Sequence, residues 1–305
     1  MHRAPVLAVL VPVFLVAALG CSERSYEDLV EDLSLREDTP PVDDLPDVDD
    51  DAPADDRTAP DCDPYLVGDE DGPVEAIYTV ENGALAGLCF GNPNEAVIGA
   101  FAVLETVVGP EGLDDLAYIG GYDGGGETVA FVTPVDASYT SFVMAIDMVA
   151  ADEYPDELGL TLLHEFAHVF TQTGDQLDID TGRTACSTLW NGAGCFVPGS
   201  YLDSWVNEFW TDEELLSLPA DGSADQEGGL ERCNVDPGFL GVYAGSSPEE
   251  DFAETFSAYV FDLEVPEGVE PRMAFFDAYP EFVAFRDAAV ASGLAPVPNP
   301  FDRCG

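Results

Sequence analysis

The chemistry this sequence can do is concentrated in His164-Glu165-Phe166-Ala167-His168, set inside an apolar run from Leu158 to Phe170. On a helix, residues four apart lie one above the other on the same face, so His164 and His168 can offer ring nitrogens to a single ion. Glu165, next in sequence to a ligand, then sits beside that ion, where a bound water would lose its proton. The spacing is that of a zinc site, and it requires a helix. The bland alternative is a buried helix whose histidines are satisfied core groups. With three histidines in 305 residues, a chance H-E-x-x-H has odds on the order of one in several hundred.

The helix that must carry these residues has its own signals. Pro155 suits a first turn, Asp156 and Glu157 favour the positive end, and Gly174 offers a left-handed stop, while Gly159 weakens the helix slightly. Two imidazoles leave two positions open on a tetrahedral zinc, and hydrolysis needs a third protein ligand plus water. His2 falls in a leader segment and the cysteines are expected to form bridges, so the third ligand is an acid. Thr171 and Gly174 occupy the marked positions of H-E-x-x-H-x-x-G-x-x-H, so that longer pattern is absent.

The best source of a carboxylate is Ser246 to Phe256, which begins a second helix. Glu250 and Glu254 share a face, and Asp251 is turned roughly a quarter to a third of a circle away. Glu250 can ligate while Glu254 orients a histidine from behind. Ser247-x-x-Glu250 also reads as a capping box with Pro248 at the first helical position, which would occupy Glu250. Asp251, Glu254 or another acid are therefore alternatives.

H-E-F-A-H followed about eighty residues later by E-E-D-F-A-E-T-F resembles the gluzincin metallopeptidases, especially the anthrax lethal factor-like group. The resemblance spans about 158–260. It implies that Glu250 ligates zinc, that Glu254 is the following glutamate of that motif, and that Tyr243, seven residues before the ligand, assists catalysis. Read without the resemblance, Phe239 to Tyr243 is an ordinary core segment, and Tyr259 and Tyr201 are other candidates for the tyrosine.

The rest of the chain has to deliver and support this site. Residues 1–20 read as a signal peptide, and Ala18-Leu19-Gly20-Cys21 resembles the lipobox of bacterial lipoproteins. That resemblance implies cleavage before Cys21, lipid on Cys21, and a protein anchored to a membrane in the cell envelope, or secreted if the anchor is absent. Residues 21–61 are rich in Asp and Pro and read as an acidic tether with a reach of roughly 35 Å or more. Residues 62–305 are the expected catalytic domain. With Cys21 set aside, six of the seven cysteines remain, and an oxidising compartment predicts three disulfides, Cys186 with Cys195 first. The balance of 9 basic residues, all arginine, against 61 acidic ones excludes nucleic acid as a partner.

Glu75 to Phe90 predicts a hairpin turning at Asn82-Gly83, and Asn94 to Val108 a helix. Residues 128–134 and 137–148 read as strands, 181–199 as a loop, 200–218 as a helix and 220–229 as another loop. The expected fold is α+β, zincin-like, with a small sheet lobe, an active-site helix and a mainly helical C-terminal lobe. The expected activity is zinc-dependent hydrolysis of peptide or protein substrates by an endopeptidase. The competing reading is a non-catalytic zinc- or cation-binding surface lipoprotein.

Overall fold

The computed structural model describes residues 62–67, 72–126 and 128–297. The signal peptide, Cys21, the acidic segment and Cys304 lie outside the described residues. Among those described, no helix is long and apolar enough to cross a membrane.

The fold is α+β. Strands β1 (Val74–Glu81), β2 (Ala84–Gly91), β3 (Leu116–Tyr122), β4 (Ala130–Pro134) and β5 (Phe142–Asp147) form one sheet in the order β2-β1-β3-β5-β4. Only β3 and β5 run parallel; the other neighbours are antiparallel. The β1–β2 hairpin turns at Asn82-Gly83 as expected, with φ of 52° and 69°, the positive pair that matches strand twist. Interior strand β5 is buried along its whole length. Phe142, Met144 and Ile146 face the helices, while Val143 and Ala145 face a short 3-10 turn at Pro64–Val67.

Helix α1 (Glu95–Val108), capped by the Asn94 side chain, covers the sheet. Asp147 ends β5 and caps a short helix α2 (Met148–Glu153), which leads into α3 (Pro155–Thr171), the motif helix. Its apolar residues surround it, as a buried helix requires: Leu158, Leu162, Leu163, Phe166 and Val169 are all in the core. Gly159 has a packing reason, since a Cβ there would lie 3.3 Å from the Phe261 ring.

The helical lobe comprises α4 (Tyr201–Phe209), α5 (Asp212–Ser217), α6 (Gln226–Val235), α7 (Pro248–Val260), α8 (Glu270–Phe275) and α9 (Pro280–Ser292). Its core is aromatic: Phe170, Trp205, Phe252, Phe256, Phe276 and Phe282 meet at ring separations of 5–6 Å, many edge to face. Helix α7 packs along α3 and joins the two lobes at the site.

Several boundaries differ from expectation. Residues 128–134 and 137–148 shorten to β4 and β5, and β3 was not anticipated. The helix expected over 200–218 is broken: Trp210 is extended so that its indole turns inward, and Thr211 restarts the chain with a reciprocal capping box to Glu214. The loop expected over 220–229 becomes α6 from Gln226, capped by Asp225. Gly174 is no left-handed stop; α3 ends at Thr171, and Gln176 and Leu177 turn the chain by donating to the Thr173 carbonyl. The expected loop over 181–199 contains Cys195–Phe196 (β7), which pairs with Leu177–Asp178 (β6). Disulfides join Cys62 to Cys89 and Cys186 to Cys195, and Cys233 is disulfide-bonded as well.

Candidate metal centre

Helix α3 presents His164 and His168 one turn apart, and α7 brings Glu250 against both. The His164 Nε2 to Glu250 Oε2 distance is 3.1 Å, His168 Nε2 to the same oxygen is 3.4 Å, and the two Nε2 atoms are 3.2 Å apart. Atoms at the corners of a tetrahedron centred about 2.0–2.1 Å away lie about 3.3–3.4 Å from one another, so the three donors are spaced as zinc ligands are. Glu250 Oε2 is buried and faces the two rings without an aligned hydrogen-bond donor. Two imidazoles and a carboxylate form a donor set that leaves a position for water, so these residues fit zinc.

Glu250 is free for this because the capping box expected at Ser247 is one-sided. The Ser247 hydroxyl accepts from the Glu250 backbone N–H, and the Glu250 side chain turns to the histidines. Burial alone would raise Glu250, yet His168 and His164 hold its carboxyl well below the usual carboxylate range. Burial likewise opposes charge on His164 and His168, but the facing carboxylates outweigh it and raise both, His164 the more. Glu254, one turn further along α7, places Oε1 3.2 Å from His164 Nδ1. That contact holds the ring with Nε2 toward Glu250.

Asp251 does something else entirely. It is fully buried, and its Oδ2 accepts from the indole N–H groups of Trp205 and Trp210 and from Arg272 Nε, at 2.9, 3.0 and 3.1 Å. Burial pushes its carboxyl up to about 6 against those donors. Arg272 continues to Asp236 and lies over the Phe239 ring at 4.3 Å. This anchor fixes the rotation of α7 so that the residue before it faces the histidines.

Glu165 is nearly buried, with Oε1 4.0 Å from His164 Nε2, and the Val132 backbone N–H of edge strand β4 donates to its carboxylate. Burial pushes its carboxyl upward, and the two imidazoles only partly offset this, the direction a general base operating near neutral pH needs. Tyr243 stacks on His164 with ring centroids 5.8 Å apart and its hydroxyl donates to Glu250. Burial, then Glu250 and Glu165, push that hydroxyl's pKa upward, so it stays a donor. The Tyr243 turn is clamped by Arg232, whose Nε donates to the Gly245 carbonyl and whose guanidinium also reaches the Ser246 carbonyl.

The other candidate tyrosines are committed elsewhere: Tyr201 donates to Glu281 and Tyr259 to Asp277. Sequence reasoning missed Val132, Arg232 and the Trp205–Trp210–Arg272 anchor. Only Arg232 and Arg272 left a trace, as rare cations inside a strongly acidic chain.

No known protein family and no curated protein matches the chain. A solved structure of a protein from Bacteroides caccae, provisionally described as a zinc-binding metallo-peptidase, shares 17% identity over 63% of this chain and 62% of that one. The chain thus spans less than two thirds of that protein, and with a TM-score of 0.28 the likeness carries no argument about this one.

Proposed function

We propose that the chain is a zinc-dependent metallopeptidase of gluzincin type, similar to the anthrax lethal factor-like group, acting as an endopeptidase on peptide or protein substrates. The observation that carries this reading is the convergence of His164, His168 and Glu250 at zinc-ligand spacing, with Glu165 and Tyr243 beside them. Zinc bound there would supply Lewis acidity toward water and the scissile carbonyl.

The remaining work falls to the protein. Glu165 takes a proton from the attacking water and passes it to the leaving amine; the Val132 N–H keeps the carboxylate aimed. The Tyr243 hydroxyl donates to the oxygen that gains negative charge. Glu254 holds His164, and Asp251 holds the helix that presents Glu250. β4 is one of the sheet's two edge strands, so an extended peptide can pair with it alongside Glu165. In the same reading, lipid on Cys21 holds the enzyme at the cell envelope, and the acidic segment spaces it from the membrane.

The test is zinc content and cleavage rate for the native chain and Glu165→Gln. A protein that binds zinc and cleaves peptides, with cleavage sensitive to chelator and lost in Glu165→Gln, supports the reading. Zinc without cleavage leaves the non-catalytic binding lipoprotein.

A further inference from the structure

A second opening lies beside the metal group. A pocket of about 340 Å³ is walled by Leu189, Trp190, Ser247 and Glu249. That volume is near the lower bound, about 300 Å³, of small-molecule pockets and suits a side chain. Glu249 lines this pocket and precedes Glu250 in sequence, which sets the pocket beside the metal group, and the His168 ring acts on its carboxyl.

The Glu249 carboxylate accepts from the Asn191 side-chain amide, a neutral donor. Asn191 is fixed in turn, its Oδ1 accepting from the backbone N–H groups of Ala193 and Gly194 inside the loop closed by Cys186–Cys195. Asp203, another acid on the lining, is spent on the Gly199 backbone N–H and the Asn207 amide. Arg183, on the same lining, acts on Asp221. On its pocket side the Glu249 carboxylate is drawn partly from water with only the neutral Asn191 amide against it, and a positive group entering there offsets that cost. Trp190 adds an aromatic wall of the kind on which a guanidinium or ammonium group rests.

We propose that this pocket receives a cationic side chain, arginine or lysine, from a substrate residue close to the scissile bond, with Glu249 as the selecting carboxylate. The proposal rests on the metallopeptidase reading for its substrate, and the test separates the two. The mature chain is loaded with zinc and carries Glu165→Gln, so that peptides bind without being cut. Labelled peptides differ at one position, scanned along the sequence, which holds arginine, citrulline or glutamate. Physiological salt screens the net charge.

The arginine peptide is expected to bind at least about tenfold tighter than the citrulline peptide at one scanned position. Adding Glu249→Gln removes that difference while zinc content and melting temperature stay unchanged. Equal binding of arginine and citrulline peptides at every position overturns the proposal, as does a preference that survives Glu249→Gln. If Glu249→Gln loses zinc or melts early, the arginine–citrulline comparison in the chain with intact Glu249 decides. Chelator-sensitive cleavage by the native chain is read separately: its absence defeats the metallopeptidase reading and leaves the pocket to be judged on binding alone.

Discussion

The sheet lobe and the helical lobe are built on different physics and hold different parts of the site. The sheet lobe is mainly aliphatic, with scattered rings such as Tyr78, Phe101, Tyr122 and Phe142, and is closed by strand pairing and by the Cys62–Cys89 bridge. The helical lobe is a lattice of aromatic rings around one buried acid, Asp251, with Arg272 and two tryptophans upon it. The metal group is aimed from the helical side, through Glu250 and Glu254 on α7, whereas the base is aimed from the sheet side, through Val132 on β4. On the proposed function, metal binding and proton transfer would have separate supports, and substitutions could fail one without the other.

The largest effect breaks the helical side at the ion itself. His168→Ala and Glu250→Ala each remove a donor that no other described residue replaces, so zinc content and cleavage should both fall to background, read by metal analysis and peptide assay. Next comes the anchor: Asp251→Ala takes the fully buried carboxylate from Arg272, which keeps only its pair with Asp236, and from both indoles, and should destabilise the fold by about 3 kcal/mol, read by chemical denaturation. A change below about 1 kcal/mol would show that the anchor does not hold α7.

On the sheet side, Glu165→Gln should keep zinc and melting temperature while cleavage drops at least about a hundredfold. Loss of zinc in that variant would erase the distinction between the two supports. Tyr243→Phe should cost roughly tenfold in kcat with zinc unchanged; this is less than for a buried oxyanion donor because Tyr243 is 42% exposed and water can substitute.

The smallest effect is pH-dependent and sharpens the role of the ion. In the metal-free protein, Glu250 and Glu254 raise His164, and Glu250 and Glu165 raise His168, above their unfolded values despite burial. That stabilisation is complete below the unfolded imidazole pKa of about 6.5 and is lost as pH rises through the raised folded values. Metal-free protein should thus lose melting temperature above neutrality, whereas zinc-loaded protein, with the ion in place of the protons, should not. Parallel curves would sink this account.

The motif helix was legible because its chemistry and its period are local: His164, Glu165 and His168 need only one another and an apolar run. Glu250 and Glu254 were legible through their spacing, although choosing Glu250 over Asp251 needed the tertiary structure. A single-sequence reading could show Asp251 only as one more acid, since the indoles that fix it lie at Trp205 and Trp210, far away in sequence. Strand β3 was hidden for a related reason. Its Gly120 and Gly121 look like turn residues, yet a Cβ on Gly120 would lie 2.8 Å from the Ala76 carbonyl and from the Val67 side chain. Close approach of neighbouring chain, invisible in a pattern of residue types, demanded them.

The Cys62–Cys89 bridge also sets a direction. Cys89 lies on β2, at one margin of the sheet, while β4, beside Glu165, forms the opposite margin. Four strand spacings, about 19 Å, separate the two. Whatever precedes Cys62 therefore enters the domain on the far flank from the cleft. On the proposed function, a chain held by its N-terminal segment would turn the metal group outward, and tension on that segment would be borne by a covalent link remote from the candidate site.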